Sequence, residues 1–168
     1  MTGKYFSFGA TSAVITGLAV IVGLSQTANP AVGITTALII SAIADNVSDS
    51  LGIHVHQESQ KESANEVRKT TWTNFITRVV VVSIFVLLVT VLPMKAAVVL
   101  SILFGMAVIS TISYLIAKEQ EVNPHKVIFH HLLITVLVII GSYLLREVSA
   151  GLVAKFARYQ AWGIFSST

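Results

Sequence analysis

The chain contains no cysteine, which excludes disulfides, thiolate metal sites and Cys-linked haem. It is also poor in charge: 11% of its residues are Asp, Glu, Lys or Arg, against roughly 25% in an ordinary soluble domain. Between Lys4 and Asp45 no residue is charged at all. A glycine-rich phosphate-binding loop is missing, which argues against coupling to ATP within this chain. The alternating pattern of membrane β-barrel strands is missing too. No small-residue cleavage site follows the first apolar run, which passes through Ser25 to Pro30 straight into a second run, so the first is expected to be retained rather than removed as a secretory signal.

Hydrophobicity is what the chain has in abundance. Over 168 residues the mean hydropathy is +0.80, and 54% of the residues are hydrophobic. Apolar runs of about 18 residues or more are candidate membrane spans, and five are present: Tyr5 to Leu24, Ala31 to Ile53, Phe75 to Leu92, Ala96 to Ala117 and Val127 to Leu145. Arg78 stands near the start of the third, where its long side chain is expected to snorkel to the headgroups. Hydrocarbon offers no partner to an unpaired backbone group, so spanning segments without barrel patterning must be helical. The expected fold is an all-α integral membrane protein: a five-helix transmembrane domain over residues 1–150, with a connection at 54–74 into which the second helix extends. Residues 151–168, where Lys155 and Arg158 mix with Phe156, Tyr159 and Trp162, suit a C-terminal segment lying along the membrane interface.

Lysine and arginine in the connections set the expected orientation. With the N-terminus in the cytoplasm, the inner side carries Lys4, Lys61, Arg68, Lys69, Arg78, Lys118 and Lys126, and the outer side Lys95, Arg146, Lys155 and Arg158. This favours N-in, C-out, in a prokaryotic cytoplasmic membrane. The basic balance is thereby a topology signal, and no basic patch or motif supports nucleic-acid binding. Glu58, Glu62, Glu66, Glu119, Glu121 and His125 also fall in the inner connections.

The stretch ADNVSDSLGIHVHQES ends the uncharged run with two carboxylates one helical turn apart. At about 100° per residue, Asp45, Ser48, Asp49, Gly52 and His56 fall on one stripe, with Gly52 leaving room for close approach. A charged side chain at the bilayer centre costs at least about 2.5–3.5 kcal/mol, so intramembrane acids face a bundle interior or a wet cavity. Two ionised carboxylates so close repel each other, and either a divalent cation or a shared proton relieves that repulsion. Oxygen ligands favour Mn2+, Fe2+, Mg2+ or Ca2+ over softer ions. The competing reading is a structural network in which Asn46, Ser48 and Ser50 satisfy Asp45. Further along, Glu58, Glu62 and Glu66 recur every four residues; on a helix continued through residue 70 they form an acidic strip beside His56, either a collector of cations or, with Lys61, Arg68 and Lys69 interleaved, a solvated face.

Other residue types carry less. Gly9, Ser12, Ala13, Thr16 and Gly23 make a small-residue seam that suits close packing of helices, between subunits or within one. Adjacent His130 and His131 diverge on a helix, so at most one points inward, and no tightly bound cofactor is expected. Both membrane acids lie on one helix, where an intramembrane aspartyl protease needs them on two, and no Ser–His pair sits at membrane depth; an enzyme is not expected.

The pattern Ala44, Asp45, Ser48, Gly52, together with Ile15, Thr16 and Gly23 in the first helix, resembles the first two helices of the vacuolar iron transporter family, which includes nodulin-like metal transporters. The five-helix layout, a Leu-Pro turn after the third helix (Leu92, Pro93) and Gly141, Ser142, Tyr143 in the last are similar as well. The family's first-helix aspartate ligand falls at Ser12 and its second-helix methionine ligand at Asp49. The resemblance implies a homodimer across the first helices that exports a divalent cation, Fe2+ or Mn2+, in exchange for protons. On that reading Asp45 is the main ligand and Asp49 a second ligand or proton carrier. Ser48, Ser12 and Thr16 supply neutral oxygens, and His56, Glu58, Glu62 and Glu66 collect metal. The alternative from another class is a membrane scaffold or partner subunit that has lost the metal site.

Overall fold

A computed structural model describes residues 3–60 and 63–165, with side chains described over 8–60 and 63–156. It contains five helices: α1 Gly3–Leu24, α2 Pro30–Ser59, α3 Ala64–Val91, α4 Met94–Glu119 and α5 Pro124–Phe165. Turns of a few residues join them, so successive helices run antiparallel. One end of the bundle carries the start of α1 and the α2–α3 and α4–α5 turns, and is called the near end below; the α1–α2 and α3–α4 turns mark the far end. Four helices, α2 to α5, are long and apolar enough to cross a membrane, and the described apolar part of α1 is Phe8–Leu24. The protein is an all-α, multi-pass membrane protein.

α1 is the centre of the bundle. It packs against all four other helices, and none of its residues from Gly9 to Leu24 is fully exposed. Val14, Leu18 and Ile21 meet Ile34 and Leu38 of α2, Phe85 and Val89 of α3 and Ala97 of α4 in one apolar core. α5 and α2 are peripheral: 6% and 17% of their apolar stretches are buried, against 39% for α3. Their outer faces present Ile40, Ile43 and Leu51 on α2 and Leu137, Leu144 and Leu145 on α5, the composition of a surface facing lipid.

Small residues on α1 set how near the helices come. A Cβ at Gly9 would lie 2.6 Å from Asn74 Oδ1 and 2.7 Å from the Asn74 carbonyl, so α1 and α3 touch backbone to backbone there. At Gly17 it would meet the Phe85 ring at 2.7 Å. The small-residue seam is used within one subunit. Gly52, expected to allow close approach, has nothing within 4 Å of where a Cβ would stand.

Three expectations about element bounds are corrected. A single helix through residue 70 does not form: α2 stops at Ser59 and the chain reverses into α3. Ser63 caps α3, its hydroxyl accepting from the Glu66 amide at 3.4 Å. Ser63-Ala-Asn-Glu66 is an S-x-x-E capping signature that begins a helix rather than continuing one. The connection is accordingly short, and α3 begins well before Phe75. At the other end of the chain α5 runs unbroken past residue 151 to Phe165, roughly 63 Å at 1.5 Å per residue, so residues 151–165 continue the last helix instead of forming a separate interfacial element. The α4 helix ends where Glu121 takes a left-handed φ of 56° and the Val122 amide bonds the Ala117 carbonyl at 3.0 Å, a Schellman-type stop.

A carboxylate and guanidinium site at membrane depth

Three helices bring polar side chains to one level. Measured from the far end, Ser12 lies twelve residues before Leu24, Asp45 fifteen after Pro30 and Arg78 thirteen before Val91, or roughly 18, 22 and 20 Å along their helices. In a hydrocarbon layer of about 30 Å these positions are inside the membrane, nearer its near-end surface.

Arg78 does not snorkel. It is 1% exposed and is the largest of the fully buried side chains. Its Nη1 lies 3.2 Å from Asp45 Oδ2 and its Nη2 lies 2.7 Å from Asp49 Oδ2; Nη2 also donates to the Ser12 hydroxyl. Ser12 Oγ donates to Asp49 Oδ2 at 3.5 Å, and Ser41 Oγ donates to Asp45 Oδ2 at 2.7 Å. The inward turn has a plain cause. Two carboxylates on α2 and one guanidinium on α3 would each be costly alone in a low-dielectric surrounding, and each compensates the other. The charge that was expected to relieve the repulsion between Asp45 and Asp49 is therefore supplied, in this arrangement, by Arg78. Two carboxylates and one guanidinium still leave one negative charge unbalanced. Every bond that Asp45 and Asp49 accept from Arg78, Ser12 and Ser41 ends on an Oδ2 atom, and the Asp45 side chain keeps 39% of its surface exposed and Asp49 23%.

Toward the near end the α2–α3 interface stays polar. Asn46, Gln57, Thr70, Asn74 and Thr77 are buried. Asn46 Nδ2 donates to the Phe75 carbonyl at 3.2 Å, and Gln57 Nε2 donates to Thr70 Oγ1 at 3.3 Å. The inner face of α2 is thus Asn46, Asp49, Ser50 and Gln57, rotated by about one residue from the expected stripe. Ser48, Gly52 and His56 are exposed on the outside. The Glu strip is corrected too: Glu58 lies in the last turn of α2, Glu66 in the first turn of α3, a different helix, and Glu62 lies outside the described residues. Thr16 is half-buried one turn beyond Ser12 toward the far end.

Of the expected ligands, then, the structure gathers Asp45, Asp49 and Ser12 and leaves Ser48, Thr16, His56, Glu58 and Glu66 elsewhere. Among the described residues no three His, Asp or Glu side chains form a metal-ligand group. The residues not anticipated are Arg78 as a partner, Ser41 and Asn74; Asn46, expected beside Asp45 in the structural reading, bonds the Phe75 carbonyl instead. A signal for Arg78 was present: it is the one charge between Lys69 and Lys95, and an intramembrane charge calls for a partner of opposite sign.

Two further polar clusters lie toward the near end. His131 is half-buried with Nδ1 2.7 Å from Ser113 Oγ, while His130 is exposed, in line with one inward histidine of the two. His54, Glu58, Arg68 and Trp72 line a hollow of about 430 Å³ beside the α2–α3 turn.

No family profile, curated protein or solved structure matches the chain.

Proposed function

We propose that the protein is a membrane transporter of cations, with a divalent ion such as Fe2+ or Mn2+ as cargo and protons as the coupling ion, and that Asp45 and Asp49 are the groups that meet both. One observation supports this most: a partly exposed pair of carboxylates at membrane depth, held on a single buried guanidinium, whose excess of acidic groups suits a proton or a cation. Arg78 acts in this reading as a resting counter-charge that arriving cargo displaces from the carboxylates. The resemblance to the vacuolar iron transporter family points the same way, with the carboxylates gathered on α2 in place of the first-helix ligand. Because α1 is enclosed within the subunit, a homodimer would use the outer faces of other helices.

A second reading has its own observation. Arg78 binds α1, α2 and α3 together through Ser12, Asp45 and Asp49, which is what a clasp in a non-transporting scaffold would do. Flux into proteoliposomes under an imposed pH gradient, with Fe2+, Mn2+, Co2+, Zn2+, Mg2+ and Ca2+ in parallel, separates the two. The transport reading expects one or more of these ions to move while the gradient dissipates. Absence of cation movement and of proton movement would leave the clasp.

A further inference from the structure

The interface between the Asp45–Asp49–Arg78 cluster and the α2–α3 turn holds more hydrogen-bonding capacity than the protein itself satisfies. Asn74 is 0% exposed, and neither its Nδ2 nor its Oδ1 has a partner among the protein's own atoms. Asn46 is 1% exposed and leaves Oδ1 unpartnered, as Arg78 leaves Nε and Ser50 leaves Oγ. These atoms form a connected set in the fold. Asn74 stands one turn from Arg78 on α3, Ser50 one turn from Asn46 on α2, and the Asn46–Phe75 bond joins the two helices. The Gln57–Thr70 bond forms the outermost rung, eight residues from Asp49 on α2 and eight from Arg78 on α3, a column of roughly 12 Å.

Buried polar atoms in folded proteins are satisfied by protein or by ordered water with few exceptions, and in lipid the cost of leaving them unpaired is greater. A single unpaired hydroxyl is ordinary; five unpartnered atoms on four residues lining one interface are not. Beyond the cluster toward the far end the same three helices meet through Leu18, Ile34, Leu38, Phe85 and Val89, and among the described residues the buried unpartnered hydroxyls outside the column are those of Thr35 and Ser101, on two different helices.

We propose that the α1–α2–α3 interface binds a file of internal water molecules between the α2–α3 turn and Arg78, giving Asp45 and Asp49 aqueous access from the near end alone. The waters accept from Asn74 Nδ2 and Arg78 Nε and donate to Asn74 Oδ1 and Asn46 Oδ1, with Ser50 Oγ able to do either. The apolar half seals the other side. The delivery of protons along this file rests on the transport reading; the file itself does not.

The absence of native cysteine makes the test direct. Single substitutions Ser50→Cys and Asn74→Cys in the column, and Leu38→Cys and Phe85→Cys in the apolar half, are placed in vesicles of known orientation. Each is exposed to Ag+ from one side, and the thiols left unreacted are labelled with a fluorescent maleimide after denaturation. The expected result is loss of labelling at positions 50 and 74 when Ag+ is added at the near end, no loss from the far end, and full labelling at 38 and 85 throughout. Protection of both column positions from both sides, or reaction from the far end, overturns the proposal. Where a variant does not fold, the unmodified chain gives the same answer by NMR: magnetisation passes from water to the Asn74 and Asn46 side-chain amides if the file exists, and its absence refutes it. Reactive column cysteines without cation flux would remove the transport reading and leave the water file, whereas intact flux with protected cysteines would do the reverse.

Discussion

The two halves of the α1–α2–α3 interface are made by the same three helices and are opposite in kind. Toward the far end it is a dry core in which Leu18, Ile34, Leu38 and Phe85 are at most 1% exposed. Toward the near end it is built from Ser12, Asn46, Asp49, Asn74 and Arg78, with charges paired across helices and polar atoms to spare. The apolar half can hold the helices together by packing alone, because small residues such as Gly17 let the Phe85 ring come close to the α1 backbone. The polar half is an expensive way to join helices in lipid. Its excess of acidic over basic groups, two to one, is what separates a site from a seam.

The contrast is tested most severely at Arg78. Arg78→Leu strands two carboxylates inside the bundle and is expected to cost about 3–5 kcal/mol of stability in a chemical unfolding titration. Adding Asp45→Asn and Asp49→Asn to it should restore most of that loss. If the triple variant is no more stable than Arg78→Leu, the pairing across α2 and α3 is not what keeps Arg78 inside. Next in size is the contact that brings α1 onto α3: Gly9→Ala pushes a methyl group into the Asn74 backbone and should cost about 1–3 kcal/mol. The smallest effect is at Gly52, where an added methyl group meets nothing; Gly52→Ala should gain about 0.5–1 kcal/mol from helix propensity. Thermal unfolding of these two glycine variants side by side checks both signs, and a loss at Gly52 like that at Gly9 would mean that the outer face of α2 is covered.

Much of this could be read from the sequence, for definite reasons. Runs such as Ala96 to Ala117 admit only one structure in lipid, so helix number and order followed from hydropathy. Asp45 and Asp49 stood out because membranes tolerate few charges. What hydropathy does not encode is pairing. Arg78 lay near the start of an apolar run and looked like an interfacial residue, yet α3 starts at Ala64, which places Arg78 deep along the helix and opposite Asp49. The missed element was the break between Ser59 and Ala64, announced by Ser63 and Glu66, and moving it shifted both the level of Arg78 and the register of the Glu strip. With Arg78 inside the bundle, the near-end connections keep six basic residues against four, so the charge bias behind the N-in expectation is weaker than the sequence count implied.

The most direct measurement separates stability from flux in Asp45→Asn. Asp49 makes the shorter contact with Arg78, at 2.7 Å against 3.2 Å, and is the less exposed of the two. Loss of the Asp45 charge should therefore leave the bundle folded, with an unfolding midpoint close to that of the unmodified chain. If Asp45 carries cargo or protons, the folded variant no longer moves the cation that the unmodified chain moves under a pH gradient. A folded Asp45→Asn variant with undiminished flux would contradict the transport site, and one that unfolds as readily as Arg78→Leu would make the cluster a clasp.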